Sequence, residues 1–209
     1  MVILADSDVL RVCAASCLLE YLPPALGVAP AEIHPLSALR HQFRSQALQS
    51  KYGPGVCQRS LQFLASVGRP VEALVRSVDS SEAEALAKCE KEIQSGEAAI
   101  LMATRTLRQY RVVTGDKRCL RTLAAATTLA AIRFRMEGRV LCLAQVLRLI
   151  VGEIGAGNVV NALKLAQGVE GSVDAILRRG PDASRFLGAL DDQIANLRAE
   201  TGNLLVPGI

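Results

Sequence analysis

The sequence predicts an α/β fold, a central parallel sheet flanked by helices, followed by an all-helical extension. Three observations predict it. Short, fully apolar runs recur and end in or beside an acid; Leu-, Ala- and Cys-rich stretches with helical spacing separate them; and beyond Gly152 the strand-like runs stop. Residues 1–152 therefore read as an α/β domain and 153–209 as a helical extension. At 209 residues and 50% hydrophobic composition, the chain is long enough to bury a sizeable core.

Val2 to Ala5 is the first apolar run and reads as a buried parallel strand, and Val9 to Tyr21 as a helix. Pro23-Pro24 is expected to stop that helix, Gly27 to Pro30 to turn, and Glu32 to Leu36 to form the second strand. Helices follow from Ser37 to about Leu48 and from about Val56 to Val67, with Tyr52-Gly53-Pro54-Gly55 as the break between them. Pro70 to Val78 fits strand and helix equally well. Ser80 or Ser81 is expected to cap a helix running to about Ile93, and Glu97 to Leu107 is a further helix, with Ile100, Leu101, Ala103, Thr104 and Leu107 toward the core.

Arg111 to Asp116 is the third strand-like run, ending in an acid, and Lys117 to about Phe134 is helical. Glu137-Gly138-Arg139 turns into a short strand, Val140 to Leu143, and Ala144 to Val151 forms a helix. In the extension, Gly155 to Gly157 reads as a joint before helices over Asn158 to Gln167, Ser172 to Arg179 and Pro181 to Glu200. Ser172 is the expected N-cap, Gly180 the C′ residue, and Pro181 a first-turn residue. Leu187, Leu190, Ile194 and Leu197 form a stripe that packs on the chain's own core or seeks a partner, another copy of the chain included.

Composition excludes several classes. The net charge of +4 argues only weakly for nucleic acid, and 3% aromatics with no Trp leave little material for a base-stacking platform. No apolar run approaches the roughly 18 residues of a membrane span, so no membrane partner is expected. The start of the chain meets Asp6 and Asp8 at once, unlike a secretory signal, and a cytoplasmic protein is expected. The six cysteines form no CxxC pair, and His34 and His41 alone cannot complete a zinc set. They read as buried reduced thiols, with Cys13 and Cys17 on one helix face.

Three acids sit where an α/β fold places its ligands: Asp6 and Asp116 at the ends of strands, and Glu97 at the opening of a helix. Carboxylates gathered at such an edge repel one another, and Mg²⁺ or Mn²⁺ relieves that repulsion. The alternative for Asp6, Asp8 and Asp116 is plain helix capping. Between Ile33 and Val71 the chain has no acid, and Arg40, Arg44, Lys51, Arg59 and Arg69 make that stretch basic.

Val2-Ile3-Leu4-Ala5-Asp6-Ser7-Asp8, Ser95-Gly96-Glu97-Ala98-Ala99-Ile100-Leu101 and Val112-Val113-Thr114-Gly115-Asp116-Lys117-Arg118 together resemble, in order and spacing, the PIN-domain family of metal-dependent nucleases. The resemblance covers residues 1 to about 152 and implies the PIN-like three-layer fold. It also implies an endoribonuclease, acting on RNA or single-stranded DNA through Mg²⁺ or Mn²⁺ and leaving a 5′ phosphate. Asp6, Glu97 and Asp116 would be the catalytic ligands, with Asp8 a possible substitute ligand. Ser7 and Thr114 would orient ligands or water, and Arg40, Arg44, Lys51, Arg59 and Lys117 would meet the nucleic acid.

The sequence departs from the family at the helix after the second strand. There the family carries a further acid, and this chain reads Ser37-Ala38-Leu39-Arg40-His41-Gln42. A non-catalytic binding or regulatory protein is therefore the second expectation, with a protein partner like the antitoxin peptides that neutralise many small family members. Asp6-x-Asp8 also opens haloacid-dehalogenase-like phosphatases, a third reading that leaves Glu97 without a role.

Overall fold

The computed structural model describes residues 1–76 and 79–209. Four strands form one parallel sheet: β1 (Val2–Ala5), β2 (Ile33–Pro35), β3 (Tyr110–Thr114) and β4 (Val140–Cys142), in the order β2-β1-β3-β4. Ile3 faces Ile33 on one side and Arg111 on the other, and Val113 faces Leu141. Successive strand residues point to opposite faces, yet Ile3, Leu4 and Ala5 are all fully buried, so both faces of the sheet are covered. The chain moves outward from β1 to β2, then returns to place β3 on the other side of β1. The carboxyl ends of β1 and β3 thus flank the point where strand order reverses, which is where open α/β sheets bind ligands.

Thirteen helices surround the sheet among the described residues. Helix α1 (Ser7–Ala15) is shorter than its apolar pattern suggests. Cys17 takes φ 54°, Leu18 N–H donates to the Cys13 carbonyl at 2.7 Å, and Cys17 N–H donates to that of Ala14 at 3.1 Å. This is a Schellman ending with cysteine where glycine is usual, which is why no sequence signal marks it. Cys17 is consequently exposed and off the helix face of Cys13; Cys13, Cys57, Cys119 and Cys142 are buried thiols. Pro23 and Pro24 begin a helix, α2 (Leu22–Leu26), instead of ending one, because a first-turn N–H has no intrahelical partner to lose. Helix α2 packs on α10 (Leu143–Ile154), which also contacts β3 and β4.

The next stretch divides at Ser45, whose hydroxyl accepts from Leu48 N–H and starts a new helix: α3 (Ala38–Arg44), α4 (Gln46–Tyr52) and α5 (Pro54–Ser66) follow β2. Val71–Leu74 is a single 3-10 turn; Ser77 and Val78, from the ambiguous segment, lie outside the described residues. Asp79, not Ser80 or Ser81, caps α6 (Ser80–Ala87), and α6 ends well before Ile93. Helix α7 (Ser95–Ala103) already includes Ser95 and Gly96 and closes in a short turn at Thr104–Thr106. Lys117 to Phe134 is two helices, α8 (Lys117–Ala125) and α9 (Ala130–Met136), parted by a 3-10 turn at Thr127–Leu129.

Gly152 falls inside α10, and Gly155, at φ 82°, starts α11 (Ala156–Lys164) directly. Helices α12 (Gly171–Arg179) and α13 (Ala183–Thr201) complete the chain. Glu170 and Asp182 occupy their N-cap positions, so Ser172 and Pro181 do not have the expected roles. On α13 the buried face is Phe186, Leu190, Ile194 and Leu197, with Leu187 only partly covered, and it packs against α8, α10, α11 and α12. The stripe is therefore consumed within the chain, and one apolar cluster runs from Ile3 to Val206. The tail returns to the sheet: Val206 N–H donates to the Val140 carbonyl at 2.8 Å, and Gln145 Nε2 donates to that of Val206.

Candidate active site

Asp6 follows β1, and its backbone N–H still pairs with the Val113 carbonyl of β3, which fixes it beside the end of that strand. It occupies the N-cap position of α1, but its side chain makes no capping bond. Instead Thr114 Oγ1 donates to Asp6 Oδ2 at 3.0 Å and accepts from Asp116 N–H at 3.1 Å, so one hydroxyl ties both strand-end acids together. Asp6 is only 3% exposed. Burial, then the neighbouring Asp8 and Glu97 carboxylates, push its pKa up to about 7, against the opposing bonds from Thr114 and the Ser7 amide.

Glu97 reaches the same place from the first turn of α7. Burial raises its pKa, with Asp116 and Asp8 adding to the effect, and its Oε2 oxygen is buried without a hydrogen-bond partner. Cys119, one turn into α8, lies within the field of the same acids. Burial and the charges of Glu97, Asp116 and Asp6 hold its thiol firmly protonated. Acids from three parts of the chain, Asp6 with Asp8, Glu97 and Asp116, therefore act on one another across the carboxyl edge of the sheet.

The remaining two acids are engaged locally. Asp116 caps α8, its Oδ1 accepting from Arg118 N–H at 2.7 Å and Cys119 N–H at 3.1 Å. Asp8 is exposed and pairs with Arg11, one turn along α1. In these side-chain positions no group of three or more His, Cys, Asp or Glu residues among the described ones is gathered into a metal-ligand set. Capping is thus realised for Asp116 and absent for Asp6. Gly115 brings the β3–α8 corner close to α1, since a Cβ there would lie 3.3 Å from Asp8 Cβ.

Asp6, Ser7, Asp8 and Glu97 line a cleft of about 460 Å³ together with Arg11, Gln42, Glu72 and Gln94. Glu72 escaped the sequence reading. It comes from the Val71–Leu74 turn and accepts from Ser37 N–H and Ser37 Oγ, the latter at 2.8 Å, so it puts a carboxylate at the head of α3, the helix that itself has none. Arg11 was legible only as a residue three positions beyond Asp8. A second cleft of about 240 Å³ shares Asp8 and Arg11 with the first and adds Gly115, Leu143, Glu170 and Ser172. A third shares Gly115, Leu143 and Ser172 with the second and reaches Thr114 and Lys117. Through these shared residues the three adjoin in a row, the groove, of which only the first is lined by Asp6 and Glu97.

The expected nucleic-acid contacts divide. Lys117 borders the groove, and Lys51 pairs with Glu170 on its wall. Arg44 is exposed at the end of α3. Arg40 donates to the Leu64 carbonyl, tying α3 to α5, and Arg59 donates to Cys17 Sγ in a separate pocket. Among the described residues no helix is long and apolar enough to cross a membrane. Compared with family models, curated proteins and solved structures, the chain matches none of them.

Proposed function

We propose that this chain is a PIN-like, metal-dependent nuclease that hydrolyses phosphodiester bonds, with RNA the expected substrate. The observation that carries the reading is the approach of Asp6 and Glu97 at the reversal point of the sheet, with Asp6 buried against like charge, Glu97 Oε2 left without a partner, and Asp116 tied to Asp6 through the Thr114 hydroxyl and acting on Glu97. A buried oxygen without a donor and a carboxylate whose pKa is raised by burial and then by its neighbours are what a divalent cation compensates. Asp6 and Glu97 would hold Mg²⁺ or Mn²⁺, and Asp116 would join them through its Oδ2, which its cap leaves free of backbone donors. Asp8 and Glu72 are the acids of the same cleft that stand in for the one missing from α3.

Such a cation, when bound, lowers the pKa of water and neutralises charge on the phosphate. The chain's own residues do the rest. Thr114 sets the Asp6 carboxylate through its hydroxyl. Arg11 and Lys117 border the groove as cations for the phosphates either side of the scissile bond.

Incubation of purified protein with labelled single-stranded RNA and DNA in Mn²⁺ tests this, with EDTA and Asp116→Asn as controls. Asn is as good an N-cap as Asp, so the variant keeps α8 while losing the charge. Cleavage that EDTA stops and Asp116→Asn lowers by on the order of 100-fold is expected. Equal cleavage by wild type and variant would refute the assignment. Persistent absence of cleavage, with RNA still bound, favours the non-catalytic, regulatory reading.

A further inference from the structure

Glu170 stands in the connection between α11 and α12, at the N-cap of α12, yet its side chain does not cap that helix. It turns away to α4, where Lys51 Nζ donates to Oε1 at 2.7 Å and the Tyr52 hydroxyl donates to the same oxygen. The Glu170 side chain is 12% exposed and that of Lys51 44%. Glu170 also lines the cleft of Asp8, Arg11 and Gly115, which shares Asp8 and Arg11 with the acid cleft. Arg11, held by Asp8 and Gln42, lies near enough to act on the Tyr52 hydroxyl. An ammonium and a phenol thus hold one carboxylate, with the Arg11 guanidinium lining the same cleft, in the groove that the proposed function gives to the polynucleotide.

We infer that Glu170 is a built-in phosphate mimic: it closes the groove by occupying Lys51 and Tyr52, and an incoming phosphodiester displaces it. The inference rests on the nuclease reading above and adds a regulated entry to it. A carboxylate and a phosphodiester are both oxyanions that accept from ammonium and hydroxyl donors, so one can replace the other on the same two groups. The pair is exposed on its lysine side, which keeps it cheap to exchange. Lys51 thereby has two partners in succession, Glu170 in the closed state and phosphate in the open one.

The test uses the full chain with Asp116→Asn to prevent cleavage, and reads binding of a fluorescent single-stranded RNA by anisotropy in EDTA. Glu170→Gln keeps the size and an acceptor oxygen for Lys51 and Tyr52 while removing the competing charge. It is expected to tighten binding about two- to fivefold, the worth of one half-exposed ion pair. Lys51→Met in the same background is expected to abolish that gain and lower the salt dependence of binding by about one phosphate contact. Unchanged or weaker binding by a normally folded Glu170→Gln protein would make the pair a structural tie and overturn the inference. If the wild-type chain cleaves RNA, that outcome leaves the nuclease reading standing. If no form binds or cleaves RNA, the nuclease reading itself fails, and the phosphate mimic with it.

Discussion

Asp6→Asn is expected to abolish metal-dependent cleavage and, at the same time, to stabilise the metal-free protein near pH 8 by on the order of 2–4 kcal/mol. The two effects share a cause. Asp6 is buried beside Asp8 and Glu97, and its pKa stands at about 7 against an ordinary 3.8. Between about pH 4 and 7 the folded chain therefore holds a proton that the unfolded chain has already released. The contribution of this group to stability is highest below about pH 4, falls as pH rises toward 7, and stays low above it. Asparagine carries no charge to desolvate, and its amide oxygen can still accept from Thr114.

Denaturation in EDTA across this pH range is expected to show the slope in wild type and its loss in Asp6→Asn. A variant less stable than wild type at pH 8 would show that the carboxylate holds the fold together. A residue that weakens the fold and is kept for chemistry gives the opposite result.

A chain ended after Gly152 is expected to lose the folded state altogether. Val159, Leu163, Ile176, Phe186, Leu190 and Ile194 are buried in the same cluster as the sheet, and α13 packs on both α8 and α10. Each such side chain contributes roughly 1.5–3 kcal/mol by burial. Their sum, about 9–18 kcal/mol, is as large as the net stability of about 5–15 kcal/mol typical of a whole domain. The cut also falls inside α10 and removes the tail that pairs with β4. Insoluble or molten protein by circular dichroism and dye binding is the expected outcome. A soluble, cooperatively melting fragment would mean that residues 1–152 carry a complete core, and would reopen the apolar face of α13 as a docking surface.

The strands were legible because each is a short, mostly apolar and mostly buried run, and β1 and β3 lead into an acid, so composition alone marks them to within a residue or two. The helix ends were legible only where local chemistry is unambiguous. Ser16–Leu18 reverses the chain through a left-handed cysteine, and Pro23-Pro24 open a helix that the same residues, one turn later, would have closed. At α6 and α13 the cap is the Asp that precedes the Ser, since its carboxylate takes two backbone donors.

The site divides in the same way. Asp6, Glu97 and Asp116 were legible from their positions at strand ends and a helix start. Glu72 and Glu170 were not, because each arrives on a turn or connection whose place depends on packing across the whole chain: Glu72 against α3, Glu170 against α4. The fate of the α13 stripe was likewise a question of tertiary packing. Its apolar spacing fits an own-core contact and a partner surface equally, and only the continuous cluster decides between them.

Binding of Mn²⁺ to the full-length protein, followed by electron paramagnetic resonance with Asp6→Asn alongside, tests the central claim most directly, because it needs neither substrate nor turnover. Saturable binding by wild type, accompanied by a rise in melting temperature that Asp6→Asn lacks, is the result that a metal centre built on Asp6 and Glu97 predicts. Equal binding by both proteins, or none by either at millimolar metal, would contradict the assignment of these carboxylates to a metal centre.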